Sequence, residues 1–175
     1  MKKLFLSLFT AIIGLYFQFQ VAHAASPYVL PYPSAMPGSI FYKLNLIQDE
    51  VLKYWYFGNF GQFKYSLSQS DKYLVEAKTL FDYKQYLLAH QALQKSDNYF
   101  RKIEPAIFSA KQNGKNVVEK EETLEESAKK HIEELLELQK NLPPSIEWRP
   151  EKQQSKILKL SEAIENSIRV RQEAL

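Results

Sequence analysis

From Ser39 onward the apolar residues recur at steps of three and four. Ile40, Leu44, Ile47, Val51 and Trp55 share one face, which predicts a first amphipathic helix. The stretch FGNFGQF (57–63) breaks it with two glycines and an asparagine. A second helix follows on Phe63, Leu67, Ser70, Leu74, Ala77 and Phe81, alternating four and three. Asp82 and Gln85 then have capping-box spacing for a new start. The third helix runs on Tyr86, Ala89, Leu93, Ser96, Phe100, Ile103 and Ile107; Pro105 is expected to kink or briefly interrupt it, and Asn113-Gly114 to stop it. A charged fourth helix, about Val117 to Leu142, carries Leu124, Ala128, Ile132, Leu135 and Leu138 inward. LPPSIEWRP ends it, and Pro150 suits the first turn of a fifth helix striped by Ile157, Leu160, Ile164, Ile168 and Leu175. No segment of useful length has strand periodicity. The pattern predicts an all-α chain of about five helices in antiparallel hairpins: residues 39–112 as a three-helix domain with a central hairpin, and residues 116–175 as a charged helical hairpin.

Upstream of the helices the chain changes character. Lys2 and Lys3 precede an apolar run, Leu4 to Val21, and Ala22-His23-Ala24 has the small-x-small form of a signal-peptidase site. Residues 1–24 are therefore expected to be a signal peptide, with Ala22 and Ala24 read by the peptidase. Export then places the protein outside the cell or in its envelope. Residues 25–38 carry Pro27, Pro31, Pro33 and Pro37, which favour an extended lead-in over a helix.

Charge narrows the partners. The whole chain has 23 basic and 20 acidic residues, and losing Lys2 and Lys3 leaves 21 against 20. No concentrated basic face remains for a nucleic-acid backbone. The chain has no cysteine, so an exported form must rely on an ordinary apolar core instead of disulfides.

One tetrad occurs twice: Ser70-Asp71-Lys72-Tyr73 and Ser96-Asp97-Asn98-Tyr99. Both serines occupy stripe positions where a large residue is expected. If helices two and three form a hairpin turning near Tyr83, Ser70 lies level with Asp97 and Asp71 with Ser96. Small residues there allow close approach, each hydroxyl bonding the carbonyl four residues back, with the aspartates at the edge and Tyr73 and Tyr99 keeping their hydroxyls wet. The rival reading, a metal or acid–base site, lacks ligands, because two aspartates and some serines do not complete a cation shell. The tetrad reads as one packing device used on two helices.

Catalytic signatures are missing: there is no His-Glu-x-x-His, phosphate-binding loop or Gly-x-Ser-x-Gly, and no cofactor is implied. His90 and His131 lack a ligand pattern and read as incidental surface or edge residues. The densest unusual feature is Lys53–Tyr65, in which seven of thirteen residues are aromatic. Its stripe predicts Trp55 as core. Tyr54, offset by about 100°, is expected to be accessible. Phe60, between Gly58 and Gly61, has no periodicity to turn it inward. Tyr54 and Phe60 are thus the candidate partner-binding residues.

Two stretches, PYPSAMPGSIFYKLNLIQDEV and FKYSLSQSDKYLVEAKTLFDYKQYLLAHQALQKSD, resemble a family of bacterial exported proteins grouped as domain of unknown function 5667. The shared features are a Pro-Gly-Ser lead-in, Tyr42 and Leu44 opening a helix, Leu74-Val75-Glu76-Ala77 late in the next, and Ala89 with Ala92-Leu93 in the third. The resemblance implies envelope location and a helical fold, and transfers no catalytic residues. The expectation is a non-enzymatic interaction or scaffold module whose partner is an envelope protein or polymer. The alternatives are a glycan-acting enzyme using Asp49 or Glu50, whose adjacency makes them a poor catalytic pair, and a small-ligand or metal sensor using the Ser-Asp layer.

Overall fold

The structure, a computed structural model, describes residues 27–151 and 154–175. The expected signal-peptide site at Ala22 and Ala24 lies outside them. The described elements are α1 (Ile40–Trp55), α2 (Gly58–Asp82), α3 (Tyr86–Phe100), α4 (Ile103–Gln112), α5 (Val118–Asn141), β1 (Ser145–Trp148), β2 (Lys156–Lys159) and α6 (Leu160–Gln172). The fold is all-α, with one small antiparallel ribbon.

The helix ends follow local chemistry. Ser39 caps α1, its hydroxyl accepting from the Phe41 N–H at 3.2 Å. The α2–α3 turn places Lys84 in the left-handed region at φ 58°, and α3 starts from Gln85 without a side-chain cap, so the Asp82–Gln85 box does not form. The expected third helix is split into α3 and α4 at Arg101–Lys102. Pro105 explains the position: its ring clashes with the carbonyl four residues back, which belongs to Arg101. Gly114, at φ 70°, closes α4 with Gly114 N–H to Lys111 O (3.0 Å) and Lys115 N–H to Ala110 O (3.1 Å), a Schellman motif.

The last element departs from expectation. A helix from Pro150 does not form; Ser145–Trp148 pairs with Lys156–Lys159, Ile146 opposite Leu158 and Trp148 opposite Lys156. Leu158 is buried and Ile157 is exposed, the alternation of a ribbon with one face on the core. With only four residues per strand, this is too short for periodicity to announce. Trp148 packs on the core beside Ile146, and α6 begins at Leu160.

Two apolar clusters form the interior. One joins Leu74, Ala77, Leu80 and Phe81 of α2 to Ala89, Ala92 and Leu93 of α3, Leu135 and Leu138 of α5, and Leu160, Ile164 and Ile168 of α6. The other joins Phe63 and Leu67 to Phe100, Ile103, Ile107 and Ala110, with Leu124 and Ala128 of α5 and Val170 of α6. Helices from both halves of the chain therefore share both clusters. The proline-rich lead-in also packs here: Leu30 and Met36 touch the first cluster and Tyr28 the second.

Candidate interaction surface

Between the two apolar clusters lies a buried polar layer, two residues from each of α2, α3, α5 and α6. Ser70 and Asp71 come from α2, Ser96 and Asp97 from α3, Ser127 and His131 from α5, and Ser167 and Arg171 from α6. The repeated tetrad is central to it. Ser96 Oγ–H donates to Ser70 O at 2.8 Å, and the Ser70 hydroxyl lies 3.1 Å from Ser96 O. The hydroxyls thus bond across the hairpin, not back along their own helices. The aspartates are not at an edge; both are buried. Asp97 accepts from Arg171 Nη1 and, at 2.7 Å, from Ser167 Oγ. Asp71 accepts from Tyr28 Oη at 2.6 Å and meets His131 Nε2 at 2.7 Å. Tyr73 and Tyr99 stack with ring centroids 5.8 Å apart.

His131 is fully enclosed, which corrects the expectation of an incidental edge residue. Arg171 Nε–H points at His131 Nδ1 from 3.4 Å, so Nδ1 is the acceptor and Nε2–H donates to Asp71. Burial pushes the His131 pKa down, and the Arg171 charge adds to this, against the pull of Asp71. His90 is half-buried on α3, likewise with its pKa pushed down by burial. Arg171 was not singled out by the sequence reading. Its guanidinium also donates to Ser96 Oγ at 2.7 Å and Ser167 O at 3.1 Å, and lies 5.0 Å from the Phe100 ring centroid. Arginine, aspartate, histidine and serine in proximity suggest chemistry, but every member is enclosed and its side chain is engaged within the fold, Ser127 by the Leu124 carbonyl of its own helix. No cluster of three metal-ligating side chains exists among the described residues. The layer holds helices in register.

The accessible feature is α1. This helix buries no residue. Trp55, expected in the core, is 77% exposed, and Ile40, Leu44, Ile47 and Val51 on the same stripe also face outward. The reason lies on α2. Tyr65, Gln69, Lys72 and Glu76 recur there at steps of four, three and four, forming a polar stripe that an apolar helix face cannot satisfy. The opposite edge of α1 meets it. Asp49 accepts from Lys72 and, at 3.2 Å, from Gln69, while its backbone carbonyl accepts from Tyr65 Oη at 3.1 Å. Tyr42 Oη–H donates to Glu76 at 3.0 Å. Burial pushes the Tyr42 hydroxyl up to about 12, reinforced by the Glu76 carboxylate. Glu76 itself is pushed up by burial, and its second oxygen is enclosed without a hydrogen-bond partner. α1 is therefore attached by its polar edge, apolar face outward.

The aromatic segment divides along the chain, not by helix face. Tyr54 is 80% and Phe57 85% exposed, continuous with Trp55, whereas Phe63 and Tyr65 are buried. Phe60 does turn inward, contrary to expectation: it is half-buried against the second cluster, with the Lys115 ammonium 5.1 Å from its ring centroid. Gly58, at φ 72°, supplies the corner, and Gly61 lets it close, because a Cβ there would sit 2.8 Å from the Tyr56 carbonyl carbon. Of the two candidate binding residues, only Tyr54 lies on the exposed apolar face. Asp49 is engaged by the body while Glu50 is exposed beside Lys53, 4.0 Å away. No described helix is long and apolar enough to cross a membrane.

No curated protein and no solved structure matches the chain. The family model for the domain of unknown function DUF5667 matches residues 34–145, which include α1, the α2–α3 hairpin and α5 but not Arg171. That match spans more than half of the sequence, and the chain belongs to the DUF5667 family.

Proposed function

We propose that this is an exported, envelope-associated interaction module, without enzymatic activity, that docks an envelope protein or polymer on the outer face of α1. One observation carries the reading. Five stripe residues, Ile40, Leu44, Ile47, Val51 and Trp55, are turned to solvent together, with Phe41, Tyr54 and Phe57 beside them. Contiguous apolar surface of this kind marks an interaction site more often than a solvent face. The Lys2-Lys3 leader and the Ala22-His23-Ala24 motif support export.

The test is retention of the purified protein on envelope extract and on sedimented peptidoglycan. Ile47→Asp and Tyr54→Ala are compared with the unaltered chain. Retention that disappears in Ile47→Asp, at an unchanged melting midpoint, supports the reading. No retention on either material by a chain that also stays monomeric, or retention indifferent to both substitutions, refutes it.

A further inference from the structure

The exposed face of α1 has the spacing of a helix-pairing seam, and we infer that its occupant is a second copy of this chain, α1 against α1 in antiparallel orientation. The inference rests on the docking reading above and names the partner. Ile40, Leu44, Ile47, Val51 and Tyr54 follow at four, three, four and three, the alternation of heptad positions d, a, d, a and d. Tyr42 and Asp49, the two residues clasped to α2, both fall at position f, directly opposite that seam. The body of the protein therefore lies behind α1, and a second helix can approach the front without meeting it.

Charge selects the partner and its direction. The g positions are Lys43 and Glu50, opposite in sign and one heptad apart. In an antiparallel pair g faces g, and a packs against d. A twofold that sets Leu44 of one copy against Ile47 of the other also sets Ile40 against Val51. It brings Lys43 of each copy within a helical turn of Glu50 of the other, so both ion pairs form at once. A parallel pair would oppose g to e, placing Lys43 near Gln48 and Glu50 near Trp55, with no charge matched. An isologous twofold contact is also the commonest way for identical chains to associate. A lipid surface fits less well: α1 carries Lys43 and Lys53 against Asp49 and Glu50, with no basic face for anionic headgroups.

The experiment is sedimentation equilibrium on the purified chain, its N-terminus defined by intact mass. Both g residues lie on the surface, so their exchange leaves the core untouched. A concentration-dependent dimer is expected. Lys43→Glu and Glu50→Lys should each raise its dissociation constant about tenfold or more, by facing like charges. The doubly exchanged Lys43→Glu/Glu50→Lys chain should recover the dimer, as should an equimolar mixture of the two single variants. Because the chain has no cysteine, Ile40→Cys mixed with Val51→Cys gives a direct check. Antiparallel pairing yields the mixed disulfide, whereas Ile40→Cys alone pairing with itself would overturn the orientation. A monomer at every concentration, or a dimer indifferent to the charge exchange, overturns self-pairing. If that monomer is still retained on envelope material or on phosphatidylglycerol vesicles in an Ile47-dependent way, only the choice of partner falls and the docking reading survives.

Discussion

Arg171→Met removes the only cation in the buried layer and leaves its shape roughly filled. The guanidinium is wholly enclosed and serves Asp97, Ser96 Oγ at 2.7 Å, Ser167 O at 3.1 Å and His131 Nδ1 at 3.4 Å. Met replaces the aliphatic stem and keeps a contact with Phe100, so the loss is chiefly electrostatic. Asp97 would retain Ser167 as a donor but lose its counter-ion in a site that excludes water. Breaking a buried pair by removing one partner typically costs about 3–5 kcal/mol. That is a large share of the roughly 5–15 kcal/mol that holds a domain of this size. Urea unfolding followed by far-UV circular dichroism measures it, provided the transition keeps its slope. Arg171→Met/Asp97→Asn should recover part of the loss, because the orphaned charge is then gone. A cost below about 1 kcal/mol for Arg171→Met, or no recovery in the double variant, would refute the account of Arg171 as the counter-charge of the layer.

Three further substitutions and one titration probe other parts of the fold. Trp55→Ala should change stability by less than about 0.5 kcal/mol, as an exposed site does, whereas Phe63→Ala in the core should cost about 3–5 kcal/mol; thermal melts of the pair decide which end of the aromatic segment is structural. Gly61→Ala should destabilise the α1–α2 corner by about 1–3 kcal/mol, since its Cβ meets backbone that cannot swing away. For pH, the folded His131 pKa lies below its unfolded value, so its contribution to stability is complete above about pH 6.5 and declines as pH falls below it, at up to about 1.4 kcal/mol per pH unit for one proton. His90 is shifted the same way and Glu76 the opposite way. The informative quantity is therefore the difference in slope between the parent chain and His131→Phe, measured by urea unfolding from pH 5 to 7, with the variant expected to be flatter.

The helices were legible because each buries a continuous stripe, and a stripe survives in one dimension. Asn113-Gly114 and Pro105 were legible because proline and glycine act through their own backbone. The β1–β2 ribbon was not, since four residues per strand give periodicity too little room. The serines of the tetrad show as small residues on apolar stripes; a turn near Tyr83 sets Ser70 level with Asp97 in the sequence reading, whereas the structure bonds Ser70 to Ser96. Arg171 and His131 carry the same signal, a polar residue in phase with Ile164 and Ile168 or with Leu124, Ala128 and Leu135, but long or ionisable side chains at such positions also read as stripe edges. What one stripe could not tell was its partner. The α1 stripe looks like any core stripe, and it faces outward only because α2 offers it Tyr65, Gln69, Lys72 and Glu76. That polar row is present in the sequence at helical spacing, and the mismatch lies in the pair of stripes and not in either one alone.

The same physics that fixes the body leaves α1 separable from it. In the polar layer Ser70, Asp71, Ser96, Asp97, His131, Ser167 and Arg171 each have a partner on another helix, so sliding α2, α3, α5 or α6 by one turn would strand a buried charge or hydroxyl between apolar clusters. That penalty opposes every alternative register at once. α1 has no such constraint. Its contacts at Tyr42 and Asp49 are made to the polar row of α2, and none of its own side chains is buried in either apolar cluster. A helix held this way can shift to suit an occupant of its outer face while the four core helices stay put. The arrangement therefore separates two tasks in the sequence: paired polar residues within apolar stripes specify the body, and a mismatched pair of stripes keeps one apolar face available.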